Sequence, residues 1–173
     1  MKRLIGLLTV LLLHSLVSAE PLMGYFGISF GSEREIVKKE LEKQGWISFY
    51  SEDESTDSYV GFSEDLTIEG CPIQKLDVSF DYNNVFFDIR FYFAPAFSIS
   101  DFENLLMKLE KKYGLKYLDK IDGGLYYETD NGNIIMVTTG TQRNLLSNET
   151  EQIFVLEMFD RKLQRNNYNY NYK

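Results

Sequence analysis

The residues best equipped for chemistry in this chain are acids. From Asp53 through Ser55, Asp57, Tyr59 and Val60 to Glu64, oxygen donors stand at positions one, three and five, an aliphatic side chain at eight and a glutamate at twelve. That is much of the pattern by which a calcium loop wraps its ion. Ser58, however, stands where the sharp turn needs glycine, and both flanks read as strands where helices are required. The run is therefore expected to be an acidic hairpin loop, with a calcium-dependent binding protein as the alternative.

Acid pairs also cleave glycosides, when one carboxyl holds a proton and another is ionised about 5 to 9 Å away across a cleft. Glu52, Asp53, Glu64, Asp65 and Glu69 supply carboxylates, and Tyr126, Tyr127 and Glu128 stand near Asp130. Nothing in their spacing separates an acid from a base, so no catalytic residue is assigned. A carboxylate-based hydrolase of the cell envelope is kept as the rival reading.

Other chemistries fall to the composition. The one histidine, His14, lies in an apolar leader, so the remaining chain has no Ser-His or Cys-His dyad and no histidine metal ligand. The one cysteine, Cys71, cannot form an intramolecular disulfide and has no histidine or cationic cluster beside it in sequence. It reads as a small apolar filler at a strand entry. No glycine-rich phosphate loop, nucleophile elbow or metal cluster appears, and no cofactor or metal is expected.

The leader itself, Lys2 and Arg3 followed by an apolar run from Leu4 to Val17 and the small residues Ser18 and Ala19, reads as a secretory signal spanning residues 1–19, cut after Ala19. The apolar run is shorter than the roughly 20 residues that cross a bilayer, so no transmembrane span is expected in the mature chain. The expected location is periplasmic or secreted. The formal net charge of −8 becomes more negative once Lys2 and Arg3 are gone. Such a balance argues against nucleic acid as a partner and suits a protein partner of basic character.

Two helices and a long run of strands must position whatever site exists. Ser32 and Glu35 form a capping-box pattern ahead of Ile36, Val37, Leu41 and Gln44, with Gly45 as the stop. Ser98 and Asp101 do the same ahead of Phe102, Leu105, Leu106, Leu109 and Tyr113, with Gly114 as the stop. Strands are expected over 46–50, 59–62, 66–69, 73–93, 115–121, 125–129, 133–139 and 153–159, with hairpin turns at Asp122-Gly123-Gly124 and Asp130 to Asn133. The fold class is α+β: two helices packed on one face of a largely antiparallel sheet, in a single domain over residues 20–160. Its halves, 24–95 and 96–160, resemble a tandem helix-plus-meander repeat. Residues 161–173, basic and rich in Asn and Tyr, read as a disordered polar tail. Asn148-Glu149-Thr150 fits the N-glycosylation pattern.

The stretch LDVSFDYNNVFFDIRFYF, residues 76–93, carries the sharpest pattern. With Asn83-Asn84 as a two-residue loop, Leu76, Val78, Phe80, Tyr82, Val85, Phe87, Ile89, Phe91 and Phe93 share one face. Leaving that face wet would forfeit more than a typical domain's whole stability, so it is expected to be core. The reverse face pairs Asp77 with Arg90, Ser79 with Asp88, Lys75 with Tyr92 and Asp81 with Phe86. Phe86, Asp88, Arg90 and Tyr92 are its candidate binding residues.

The entry from Tyr25 to Val37, a glycine-rich approach to a short helix followed by a meander, resembles small exported bacterial helix-plus-sheet domains: the BamE-type outer-membrane assembly proteins and, for the tandem arrangement, the beta-lactamase-inhibitor-protein type. The resemblance implies a non-enzymatic role in which the sheet engages another protein. The chain lacks the lipid-anchor cysteine of the first group and the disulfides of the second, so no residue role is carried over.

Overall fold

In a computed structural model, residues 19–49, 54–63, 66–93, 97–143 and 150–171 are described. The segment before Ala19 that is expected to be a signal, Asn148, and the acids Glu52, Asp53, Glu64 and Asp65 lie outside them. None of the helices among the described residues is long and apolar enough to cross a membrane.

The chain is α+β and its large sheet is antiparallel throughout. A small hairpin, β1 (Gly24–Tyr25) and β2 (Ile28–Ser29), precedes helix α1 (Arg34–Lys43). Then come β3 (Ile47–Phe49), β4 (Thr56–Val60), β5 (Thr67–Ile68), β6 (Cys71–Phe80) and β7 (Phe86–Phe93). Helix α2 (Ile99–Tyr113) leads into β8 (Lys116–Ile121), β9 (Gly124–Glu128), β10 (Ile134–Arg143) and β11 (Thr150–Phe159), and helix α3 (Arg161–Asn171) follows. The sheet runs β3-β4-β6-β7-β11-β10-β9-β8, with β5 paired to β6.

Helices α1 and α2 cover one face. Val37 and Leu41 of α1, and Phe102, Leu105, Leu109 and Tyr113 of α2, join Leu76, Val78, Ile89, Phe91, Ile135, Val137, Leu156 and Met158 in one buried cluster. The α2 cap is as its sequence predicts: Ser98 Oγ accepts from the Asp101 amide at 3.2 Å, and Asp101 Oδ2 accepts from the Ser98 amide at 2.9 Å. The α1 cap is not. Glu33 occupies the N-cap with no side-chain bond, and Ser32 instead gives its carbonyl to the Phe86 amide. Ser32 is part of a short run alongside β7, which also bonds Gly31 to Phe86 and Arg34 to Asn84.

The helix count is three. Residues 161–171, expected to be a disordered tail, form α3, because Asp160 caps them: its Oδ1 accepts from the Lys162 and Leu163 amides at 2.9 and 3.0 Å. An Asn-rich segment has little intrinsic helix preference, so cap and docking decide. The amide of Asp160 also donates to the Phe87 carbonyl, which fixes the helix start against β7.

The hairpin of β6 and β7 departs from its expected turn in two compensating ways. Asp81 and Val85 close a three-residue loop, Asp81 Oδ1 accepting from the amides of Asn83 and Val85 while Asn84 takes the left-handed conformation at φ +59°. That shifts the pairing by one residue and puts Phe86 opposite Phe80. A bulge then restores Ser79 to Asp88, Asp77 to Arg90 and Lys75 to Tyr92, the expected pairs. The shift moves Phe86 onto the core face, where it is 1% exposed and rests against Phe30 and Phe80, and it leaves Tyr82 exposed in the loop. Both assignments reverse the expected ones, since a loop one residue longer exchanges the two faces at its end.

Candidate functional site

The face of the sheet away from α1 and α2 is built in rows, because residues paired across neighbouring strands share a face. One row runs Phe49, Ser58, Asp77, Arg90, Glu157, Met136, Tyr126 and Asp119. On one side lies the row Ile47, Val60, Lys75, Tyr92, Val155 and Thr138, and on the other Thr56, Ser79, Asp88, Phe159, Ile134 and Glu128.

Polar groups on this face are tied to one another. Asp77 accepts from Ser58 Oγ at 2.6 Å, from Lys75 Nζ at 3.1 Å and from Tyr92 Oη at 2.7 Å. Lys75 Nζ lies 4.6 Å from the centre of the Tyr92 ring. Burial, followed by the hydrogen bond to Asp77, pushes the Tyr92 hydroxyl above its ordinary range, so it stays a donor. Arg90, directly opposite Asp77, does not bond it. Its Nε donates to Glu157 Oε2 at 3.0 Å on the other neighbouring strand, and its Nη2 lies 3.4 Å from Asp88 Oδ2.

Asp88 is the outlier. It is 1% exposed, accepts from Ser79 Oγ at 3.0 Å, and its Oδ1 has no hydrogen-bond partner among the described residues. Loss of water raises its carboxyl well above the ordinary range, the charge of Glu157 adds to this, and Arg90 and Ser79 offset it in part. Asp88 and Glu157 are thus a desolvated carboxyl beside a second one, the pairing a hydrolase would use. A general acid must nevertheless touch its substrate. Neither described cavity has either residue in its wall: one of about 450 Å³ lies by Tyr25, Lys112 and Tyr113, the other of about 290 Å³ by Phe80, Asp81 and Asn84.

Of the four candidate residues, Arg90 and Tyr92 are half-exposed on this face, Asp88 lies beneath the surface, and Phe86 is in the opposite core. The face gains residues that sequence reasoning missed. Ile47 and Phe49, 55% and 61% exposed on edge strand β3, extend it as an apolar margin. Glu157 could have been found only from the order of the strands, since it lies 67 residues from Arg90.

Of the calcium pattern, Asp53 and Glu64 lie outside the described residues. Asp57 sits in β4 and receives the guanidinium of Arg34, Nη2 to Oδ1 at 2.6 Å and Nε to Oδ2 at 3.1 Å. A bidentate arginine supplies the positive charge that an ion would bring. Among the described residues no group of three or more acids, histidines or cysteines is placed to hold a metal.

Compared with protein-family models, curated proteins and solved structures, the chain matches none.

Proposed function

We propose that this chain is an exported, non-enzymatic binding module that engages a protein partner through the open sheet face around Arg90 and Tyr92. The observation that carries this reading is the make-up of that face: it carries the apolar margin of Ile47 and Phe49 and the half-exposed Lys75, Tyr92 and Arg90 in two adjacent rows, while buried Asp77 and Glu157 are paired within the fold. An exposed apolar edge beside aromatic and arginine side chains is the composition of a recognition surface. Among the described residues edge strand β3 pairs only with β4, so it can also accept a further strand. The acidic composition favours a basic partner.

We also read the two halves as a tandem repeat, since helix then antiparallel meander occurs twice and the last strands of the two meanders, β7 and β11, pair with each other.

A photo-crosslinking residue placed at Phe49 or Tyr92, and at exposed Met107 on α2 as control, tests the face in cells of the native envelope. A discrete adduct from the first two positions and none from Met107 is expected. Adducts that do not depend on position, or none at all, refute the reading.

A further inference from the structure

The reverse face is not equally open along its length, and α3 accounts for the difference. Arg161 at its start bonds Glu128 Oε1 at 2.7 Å, and Asn167 lines the cavity beside Asp81 and Tyr82, so the helix spans from β9 to the β6–β7 turn. Between those points lie Ile134, Phe159, Asp88 and Ser79, all buried, whereas Arg90 and Tyr92 in the neighbouring rows are half-exposed. Among its described side chains Arg161, Leu163, Gln164 and Asn167 are half-buried, Lys162 and Arg165 are exposed, and the Arg161–Glu128 pair is itself partly in water. A partly exposed ion pair adds little to holding a helix in place.

We propose that α3 is a releasable strap over the reverse face, and that ionisation of Asp88 beneath it drives its release. The strap seals a carboxyl that has one oxygen unpartnered and almost no contact with water. A carboxylate there would stay charged without solvation, so the closed state selects the neutral acid, and lifting α3 lets water reach it. The charged groups that act on Asp88 are Arg90 on β7 and Glu157 on β11, and on the α3 side Arg161 is held by Glu128 of β9. Glu157 adds to the pressure towards the neutral form, and Arg90 opposes it.

The sign follows from proton counting. The closed state binds a proton that the open state releases, so the strap is tightest below the ordinary carboxyl pKa and loosens as pH rises through the raised one. Across that interval the open fraction grows by up to about tenfold per pH unit. The proposal rests on the position of α3 and holds whatever partner the face binds.

Amide hydrogen exchange of the full mature chain tests it. Protection factors for Leu163 to Asn167, corrected for intrinsic rates, are expected to fall as pH rises above the ordinary carboxyl range, while those of Leu105 to Leu109 in α2 stay level. Asp88→Asn, an uncharged mimic of the neutral acid, is expected to abolish the slope. Arg161→Ala should lower α3 protection at every pH and keep the slope. A level wild-type profile, or a slope that survives in Asp88→Asn, overturns the proposal. Should Asp88→Asn not fold, carbon-detected titration of the Asp88 carboxyl in the wild type decides: its midpoint must coincide with α3 opening, and a mismatch overturns the proposal equally.

Discussion

Tyr92 on β7 donates its hydroxyl to Asp77 on β6 at 2.7 Å, and this bond makes one carboxylate the shared acceptor of three strands, since Ser58 reaches it from β4. The two partners therefore differ in weight. Tyr92→Phe leaves Asp77 with Ser58 and Lys75, and about 1 kcal/mol of stability should be lost. Asp77→Ala strands the Ser58 and Tyr92 hydroxyls and should cost about 2–3 kcal/mol. Urea unfolding of both variants measures the difference, and equal losses would show that Asp77 is not the hub.

Phe86 is core and Phe49 is surface. Phe86→Ala empties a core position between Phe30 and Phe80 and should cost about 3–5 kcal/mol. Phe49→Ala, on an exposed edge, should stay within about 0.5 kcal/mol while reducing partner capture. Thermal melts of the two variants, with crosslinking from Tyr92 as the binding readout, separate core from surface.

The hairpin shows how much of this fold could be read in the chain. Alternation over 76–93 locates both strands and pairs Asp77 with Arg90 correctly, since a buried face punishes any slip. Alternation carries no information on loop length. Asp81 closes the turn through its side chain, so Asn84 alone takes the positive φ, and the bulge repays the extra residue. Strand order is equally hidden: Arg90 opposes Asp77 as expected, yet its ionic partners are Asp88 and Glu157, the latter on β11, which pairs with β7 despite its distance in the chain. α3 is hidden by composition: its residues are Asn-rich, strongly polar and poor in helix preference, so only the cap by Asp160 marks its start.

Gly114 ends α2 at φ +65°, a conformation in which a side chain is strained. A Cβ there would also stand 2.5 Å from Asp130 Oδ2, whose Oδ1 meets Lys116 at 3.1 Å. Gly114→Ala should therefore cost about 1–2 kcal/mol, a drop of a few degrees in melting temperature. A melt unchanged within error would mean that the helix end relaxes without penalty.

Cys71 enters β6 directly after a tight turn, where Glu69 and Gly70 both have positive φ, at +50° and +82°. Glu69 is an unusual residue for that conformation, and α2 holds it there: Lys112 bonds its carboxylate and Lys108 its carbonyl, each at 2.7 Å. The turn in turn buries the thiol against the core. Burial raises its pKa, while the nearby Lys108 pulls the other way. The thiol is therefore protonated and shielded in the folded state, and its reaction with a disulfide reagent should proceed at the rate of local opening. Because the folded pKa is the higher one, the contribution to stability is complete below the unfolded thiol value of about 8.5 and is lost as pH rises past it. Cys71→Ala should flatten stability against pH above that point. Lys112→Met, which frees Glu69, should speed thiol labelling in the wild-type cysteine background. Labelling that is already fast in the native protein, or unaffected by Lys112→Met, would separate the turn from the burial of Cys71.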